Sequence, residues 1–267
     1  MKLSYISVKK LVFCSLFATL PFYAPVIQAA TVGDDVEYTC VEVPRTMVFC
    51  GETVDLSRFD RRERMDRELL AFSFMHSTSI LMIKRANRYF PIVEDILREN
   101  GIPDDFKYLM SIESNNNPLA RSGAGAAGLW QLMPATAREF GLEVGHSVDE
   151  RYHVEKATRA ACRYLKQAYQ RFGNWVSVAA SYNAGQGRIS KSLAEQYEEN
   201  ALDLQLVEET ARYVYRILAA KIMFASPLKN HTSGVQTYRQ KRIGLMIRKA
   251  TASGAIIPMR FGVKSAN

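Results

Sequence analysis

Apolar residues recur at helical spacing through most of the chain from about Arg61 onward. Patterns typical of strands are few in this region, so we predict an all-α fold over residues 61–227. The apolar positions of a first long helix, and of its continuation or a second helix, are Met65, Leu69, Phe72, Met75, Ile80, Ile83 and Tyr89.

Proline and glycine divide the helical region into shorter elements. Pro91 is a favourable first-turn residue and Gly101 a favourable stop, so we predict a short helix between them. The segment Ile102-Pro103-Asp104 predicts the start of a helix that ends at Glu113. The further predicted helices run from Pro134 to Phe140, from Val154 to Phe172, from Trp175 to Tyr182 and from Thr210 to Phe224.

One acidic residue falls on an apolar helix face. Phe106, Leu109, Met110 and Glu113 are spaced i, i+3, i+4 and i+7, and the helix pattern breaks at Asn115-Asn116-Asn117-Pro118. Apolar contact and the negative end of the helix dipole both disfavour a carboxylate, so we expect the pKa of Glu113 to be raised. A carboxyl that stays protonated near neutral pH suits general acid catalysis. The alternative is a glutamate that turns outward at a frayed helix end.

Three sequence blocks in fixed order resemble the catalytic core of the lytic transglycosylases of the soluble (SLT) type. They are Glu113 to Met133, with its Glu-Ser pair and its Gly-Leu-Trp-Gln-Leu-Met end, then Ser181 to Gly185 and Glu209 to Val214. The likeness covers roughly residues 61–224. A Glu-Ser pair alone is not diagnostic, whereas three blocks at these spacings are specific. The resemblance implies a lysozyme-like domain that acts on the glycan strands of peptidoglycan without a cofactor.

The resemblance also implies roles for individual residues. Glu113 would be the catalytic acid, and Ser122 and Tyr213 would orient it. Local chemistry offers alternatives: a turn for Ser122, a helix cap for Asn183 and a core position for Tyr213. Trp130 suits either the core or a sugar platform. The residues expected to contact the saccharide are Gln131, Met133, Tyr182 and Asn183.

The expected reaction is cleavage of the β-1,4 bond between N-acetylmuramic acid and N-acetylglucosamine. Glu113 would first protonate the leaving oxygen and then act as base on the C6 hydroxyl, which closes a 1,6-anhydro ring. A hydrolytic muramidase is the first alternative, and it needs a second carboxylate. Asp149, Glu150 and Glu209 are available for that role. The other alternative is a non-catalytic protein that binds peptidoglycan.

The first thirty residues read as a secretory signal peptide. Lys2, Lys9 and Lys10 precede an apolar run from Leu11 to Val26, and Gln28-Ala29-Ala30 offers small residues for cleavage. An uncleaved membrane anchor is the alternative, but the run is short and interrupted by proline. We therefore expect an exported protein of the periplasm or cell envelope, with an irregular extension over residues 31–60.

Positive charge is concentrated at the two ends of the chain. The formal net charge is +8, but three lysines lie in the signal region and eight lysines and arginines follow Pro227 with no acid. The body between them therefore carries a net charge of −3, which argues against nucleic acid as a partner. The basic tail, residues 228–267, suits an anionic surface of the envelope.

Three cysteines follow the signal region. In an exported protein, Cys40 and Cys50 indicate a disulfide around a loop or short hairpin, with two unpaired thiols as the alternative. Cys162 lies on a predicted helix and suits a packed thiol. The four histidines form no ligand spacing with the cysteines, so no metal site is expected.

Overall fold

The structure, a computed structural model, describes residues 41–225, with the side chains of residues 76 and 77 left aside. All of these residues belong to one compact unit. The predicted signal peptide, Cys40 and the predicted basic tail lie outside the described residues. The prediction of a Cys40–Cys50 disulfide therefore stays a prediction.

Helices dominate the described part of the chain, and the prediction of an all-α fold is confirmed. The elements are strands β1 (Thr46–Phe49) and β2 (Glu52–Asp55), followed by helices α1 (Phe59–Phe74), α2 (His76–Glu99), α3 (Phe106–Ser114), α4 (Pro134–Glu139), α5 (Val154–Phe172), α6 (Trp175–Ala184), α7 (Gln186–Gln196) and α8 (Glu208–Ala225). A single 3-10 turn, Glu150–Tyr152, precedes α5. Among residues 41–225, none of the helices is long and apolar enough to cross a bilayer.

The helix predicted to begin at Pro91 does not exist as a separate element. Pro91 lies inside the continuous helix α2, where its missing backbone donor would normally break the helix. The side chain of Pro91 is exposed, while Phe90, Val93 and Leu97 are all buried in the core. Burial of this shared face on both sides of the proline holds the helix together, so tertiary packing overrides the local preference.

The extension predicted to be irregular contains a regular hairpin over residues 46–55. Strands β1 and β2 pair antiparallel, with Phe49 opposite Glu52, and Cys50 and Gly51 form the turn with φ angles of 54° and 86°. Phe49 and Val54 are buried in the same core as the helices. The turn thus lies at Cys50 itself, rather than between the two cysteines.

The core surrounds helix α3, which places the candidate acid. Phe106, Leu109 and Met110 are fully buried, as the sequence pattern predicts. Helix α3 packs against α2 on one side and against the long C-terminal helix α8 on the other. Both ends of α3, at residues 106 and 113, therefore lie close to α8.

Candidate active site

The break after Glu113 is a built turn with its own hydrogen bonds. Asn115 adopts a left-handed conformation, with φ of 50°, and its backbone N–H donates to the carbonyl of Ser111. Asn116 is fully buried, and its side-chain nitrogen donates to the carbonyl of Met82 at 3.0 Å. The polar asparagines thus end α3 at Ser114, one residue after Glu113, and anchor that end to α2.

Glu113 is half-buried and carries a raised pKa, as the sequence predicts. Burial raises the pKa of this carboxyl from its ordinary value to about 7. The hydroxyl of Tyr213 donates to Oε1 of Glu113 and opposes that rise, as does the positive charge of Arg216, whereas the negative charge of Glu209 adds to it. The net result is a carboxyl that can hold its proton near neutral pH and release it again.

Tyr213 lies on α8 with only 3% of its surface exposed. Its hydroxyl contacts a carboxyl one hundred residues earlier in the chain. The structure therefore brings together Glu113 and the tyrosine that the resemblance assigned to it. The core alternative for Tyr213 is also met, because its ring is buried while its hydroxyl reaches the acid.

Tyr182 borders the same acid from helix α6. Burial, followed by the charge of Glu113, raises the pKa of the Tyr182 hydroxyl. That hydroxyl donates to the carbonyl oxygen of Trp130 at 2.7 Å, and the ring packs edge-on against Tyr164 with the centroids 5.2 Å apart. Tyr182 thus connects α6 to the loop that carries Trp130, and its contact with a saccharide stays a prediction.

The glycine-rich loop, residues 120–133, closes on itself through Ser122. The Oγ of Ser122 accepts from the backbone N–H of Ala126 at 3.0 Å, and the Ser122 N–H donates to the Ala126 carbonyl at 2.9 Å. This is the turn chemistry considered as the alternative. The hydroxyl proton of Ser122 is not used by these two bonds, so its role in orienting Glu113 stays a prediction.

Gln131 and Met133 end the same loop. Gln131 has a φ of 48°, and its side-chain nitrogen donates to the carbonyls of Gly128 at 2.8 Å and Ala120 at 3.1 Å. These bonds assign its amide N–H groups to the loop, which leaves the amide oxygen for an acetamido group. Met133, at the start of α4, is 42% exposed and available to a ligand. Both saccharide contacts stay predictions.

The structure decides between the alternatives given above for Trp130, a core residue or a sugar platform, and tests the helix-cap alternative for Asn183. Trp130 is fully buried and its Nε1–H donates to Oγ1 of Thr158 at 2.9 Å, so it is a core residue and offers no platform to a sugar. Asn183 is exposed, and its Oδ1 accepts from the Thr210 hydroxyl of α8 at 3.2 Å. Helix α6 ends at Ala184 and its C-cap is Gly185, with φ of 86°, so Asn183 is not the cap itself.

Arg151 supports the glycine-rich loop, a role that was not predicted from the sequence. Arg151 is 5% exposed, and its Nη1 donates to the carbonyls of Gly125 at 2.7 Å and Leu132 at 3.0 Å. Its other nitrogens form two parallel bonds with the carboxylate of Asp149, at 2.9 and 2.7 Å. The sequence offers no sign of this contact, because a charged residue in a polar stretch is ordinarily exposed.

The backbone of Gly128 packs directly against the backbone of Arg151. The φ of Gly128 is 78°, and a Cβ on this residue would lie 1.9 Å from the carbonyl oxygen of Arg151. A side chain is therefore excluded by both conformation and space. The run of glycines in the sequence indicated a close backbone approach, and the structure shows that the approaching group is the protein's own chain.

Two of the three carboxylates available to a hydrolase are already engaged. Asp149 is paired with Arg151, and Glu150 accepts from the Glu143 N–H at 2.8 Å and pairs with Lys156. These bonds lower the pKa of both acids. Glu209 is exposed in the first turn of α8, one helical turn before Tyr213, and its charge acts on Glu113. Within residues 41–225, no group of His, Cys, Asp or Glu is arranged to hold a metal ion.

A carboxyl that has a raised pKa and accepts a hydrogen bond from a tyrosine hydroxyl is suited to proton transfer. Residues 91–205 match the family model described as the transglycosylase SLT domain. These residues make up less than half of the chain, and the match shows that this segment is similar to the SLT domain of lytic transglycosylases. Glu113, the loop and Tyr182 lie within the matched residues, whereas α1 and α8, which supplies Tyr213, lie outside them.

Two relatives illustrate the match. Membrane-bound lytic murein transglycosylase D of Escherichia coli K12 is 32% identical over 163 residues, which cover 59% of this chain and 35% of that protein. Membrane-bound lytic murein transglycosylase C of Haemophilus ducreyi is 29% identical over 178 residues, covering 60% and 47%. The chain thus spans about a third to a half of the length of these relatives.

Among solved structures, the 70 kDa soluble lytic transglycosylase SLT70 of Escherichia coli aligns with a TM-score of 0.44 and 24% identity. The alignment covers 61% of this chain and 30% of that one.

Proposed function

We propose that this protein cleaves the glycan strands of peptidoglycan at the β-1,4 bond between N-acetylmuramic acid and N-acetylglucosamine, as a lytic transglycosylase. The observation that carries the proposal is the state of Glu113, a half-buried carboxyl with a pKa of about 7, contacted by Tyr213. The similarity to proteins named murein transglycosylases supports the substrate class.

The reaction can run on one carboxyl. Protonated Glu113 gives its proton to the glycosidic oxygen as the bond from that oxygen to C1 of the muramoyl sugar breaks. The resulting carboxylate then takes the proton of the C6 hydroxyl while the C6 oxygen bonds to C1. The product end is a 1,6-anhydro ring, no water is consumed, and Glu113 regains its proton for the next turnover.

A pKa near the working pH serves both halves of this cycle. A carboxyl with an ordinary pKa of 4.5 would rarely carry a proton at neutral pH, and one with a far higher pKa would be slow to release it. The hydrogen bond from Tyr213 stabilises the carboxylate that exists between the two proton transfers. Ser122 could add a second donor through its remaining hydroxyl proton.

Saccharide binding falls to residues around the same acid. The exposed thioether of Met133, the amide oxygen of Gln131 and the exposed Asn183 are the groups we assign to the sugar rings. Tyr182 would border the ring next to Glu113. Sugar rings present both apolar faces and hydroxyl or acetamido groups, so this mixture of apolar and amide side chains suits them.

A hydrolytic muramidase is the second candidate, because Glu209 remains near Glu113. Glu209 acts on Glu113 as a neighbouring negative charge and is exposed, so it could position water. Inverting and retaining hydrolases both need such a second carboxylate. Two features favour the transglycosylase instead: the match of residues 91–205 to the transglycosylase SLT domain, and the engagement of Asp149 and Glu150 in ion pairs.

Mass analysis of the products tests the proposal. Purified protein is incubated with isolated peptidoglycan, and the soluble fragments are separated and weighed. A transglycosylase leaves anhydromuramoyl ends, one water lighter than the reducing ends that a hydrolase leaves. Products with only reducing ends would assign the protein to the hydrolases, and binding without release of any fragment would make it a non-catalytic peptidoglycan-binding protein.

The location and the basic tail form a separate part of the proposal. An envelope location follows from the substrate, and the unopposed lysines and arginines after Pro227 would add affinity for an anionic envelope surface. Truncation after Pro227 should leave cleavage of soluble glycan fragments nearly unchanged and weaken binding to intact sacculi, chiefly at low salt. Loss of activity on the soluble fragments would show instead that the tail is part of the catalytic domain.

A further inference from the structure

Helices α3 and α8 run antiparallel and are joined by side-chain contacts at two places. At one, the Tyr213 hydroxyl donates to Glu113; at the other, Lys221 Nζ donates to Asp105 Oδ2 at 2.7 Å. Eight positions separate Glu113 from Asp105, and eight separate Tyr213 from Lys221, a rise of about 12 Å on either helix. Because the two spacings match, sliding one helix along the other would strain both contacts at once.

The β1–β2 hairpin sits on the second of these contacts. Asp105 Oδ2 also accepts from the backbone N–H of Cys50 at 2.6 Å, and Lys221 Nζ also donates to the carbonyl of Val48 at 2.6 Å. Phe49, between them, is fully buried and packs against Phe106, the first residue of α3, with the ring centroids 5.9 Å apart. The hairpin thus contacts both partners of the ion pair and the start of the helix that ends near Glu113.

We propose that the β1–β2 hairpin is a positioning element for the catalytic acid, which it serves by fixing, through Asp105 and Lys221, the register of α3 against α8 that keeps the Tyr213 hydroxyl on Glu113. The hairpin and Lys221 lie outside residues 91–205, the segment that matches the family model. In this chain the segment before the matched domain would therefore be part of the catalytic unit. The inference rests on the proposed function only in giving Glu113 its catalytic role.

The ionisable groups around Glu113 make the coupling measurable. They are Tyr213, Glu209 and Arg216 of α8, and Tyr182 of α6. Lys221 lies about 12 Å along α8 from Tyr213, so its own charge is a distant and screened influence on Glu113. A change at Lys221 would reach Glu113 chiefly through Tyr213. Because the Tyr213 hydrogen bond lowers the pKa of Glu113, loosening that bond should raise it.

The experiment compares Lys221→Met with wild type in the full chain. The pKa of Glu113 is read from a carbon-13 carboxyl titration by NMR, with the resonance assigned from Glu113→Gln. We expect Lys221→Met to raise the pKa of Glu113 by about half a unit. On soluble glycan fragments it should lower kcat by about 10-fold, as a small misplacement of a catalytic group does, with KM little changed. Lys221→Arg keeps both the charge and the reach, so it should restore wild-type values.

Two controls separate positioning from general stability. Asp203→Asn breaks the Arg61–Asp203 ion pair, which is similarly shielded from solvent and shares no hydrogen bond with Asp105, Lys221 or Tyr213. It should lower Tm without moving the Glu113 titration. In a Tyr213→Phe background, Lys221→Met should add no further shift in the pKa of Glu113, because the connecting hydroxyl is already gone.

Three results would overturn the proposal. The first is a Lys221→Met protein with lower Tm but an unchanged Glu113 titration and kcat. The second is a pKa shift that persists in full in the Tyr213→Phe background. The third applies if Lys221→Met does not fold. Asp105→Asn then takes its place, because it keeps an acceptor for Cys50 but loses the charge. An unchanged pKa of Glu113 in Asp105→Asn would overturn the proposal. If the wild type releases nothing from peptidoglycan, the proposed function fails, while the titration still decides this inference.

Discussion

Glu113 and Asp149 are two carboxyl groups that the fold places in opposite electrostatic environments. Glu113 is half-buried with a tyrosine hydroxyl as its hydrogen-bond partner, and burial raises its pKa to about 7. Asp149 forms two bonds with Arg151, which lower its pKa. Both are ordinary acids, so the environment decides that one exchanges protons and the other stays charged.

The candidate site therefore has two regions with different roles. The acid pocket, Glu113 with Tyr213 and Tyr182, is where protons would move. The loop anchor, Asp149 with Arg151 and Gly128, holds the glycine-rich loop in place. Substitutions in the acid pocket should lower kcat and leave folding intact, whereas substitutions in the loop anchor should lower stability first.

Glu113→Gln should have the largest effect on activity. Glutamine keeps the size of the side chain but cannot donate and recover a proton, so kcat should fall by at least about 10²–10⁴-fold, the usual worth of general acid–base catalysis. Circular dichroism and Tm should show a folded protein. Release of soluble fragments from peptidoglycan provides the measurement.

Glu209→Gln is the matched control for that variant. It makes the same chemical change at an exposed acid near Glu113, and it tests the hydrolase alternative directly. The transglycosylase account expects a change in kcat of less than about 3-fold, because only a screened charge is lost. A loss as large as that of Glu113→Gln would point to a second catalytic carboxylate.

Arg151→Met tests the loop anchor. It leaves the Asp149 carboxylate without its partner and removes the donors to Gly125 and Leu132, so the free energy of unfolding should drop by about 3–5 kcal/mol. Urea unfolding provides the value, and activity should fall together with the folded fraction. An Arg151→Met protein of wild-type stability and activity would show that the anchor does not support the loop.

Tyr213→Phe should have a smaller and more specific effect. It removes the donor to Glu113 and leaves the buried ring in place, which should lower kcat by about 10-fold, the worth of one hydrogen bond to a charged group. Because that bond lowers the pKa of Glu113, its loss should move the alkaline limb of the pH–rate profile to higher pH. An unchanged limb would show that Tyr213 does not stabilise the carboxylate.

A further effect is expected on stability as a function of pH. Glu113 keeps its proton up to about pH 7 in the folded protein but only to about 4.5 when unfolded. The native state therefore binds more protons between these values, and wild-type stability should fall as pH rises through this window. Glu113→Gln lacks this loss. Between pH 4 and pH 8, its free energy of unfolding should therefore rise by about 1–3 kcal/mol relative to that of wild type. Denaturant unfolding at both pH values checks it.

The helical core and the raised pKa of Glu113 could be predicted from the sequence because both depend on residues that are close together in the chain. The apolar face of α3 and the asparagines that end it are contiguous in the chain, and together they predicted a raised pKa at Glu113. Helix α5 was predicted with the bounds that the structure shows, since its period is regular and Gly173 stops it. Tyr213 was identified only through the family resemblance.

The remaining features depend on contacts between distant segments. The loop anchor joins residues 19 to 26 positions apart, and the Asp105–Lys221 pair spans 116 positions. Nothing in the local pattern of Arg151 or Lys221 distinguishes them from surface cations. Pro91 was misinterpreted for the same reason, because burial on both sides of it, a tertiary effect, keeps α2 continuous.

The most direct test of the account is a titration of Glu113 and Asp149 in the same wild-type sample. Carbon-13 carboxyl NMR, with the two resonances assigned from Glu113→Gln and Asp149→Asn, follows both groups from acid to neutral pH. The account predicts a midpoint near 7 for Glu113 and one below the ordinary 3.8 for Asp149. A Glu113 midpoint near 4.5 would contradict it, because the proposed acid would then be ionised wherever the enzyme is expected to work.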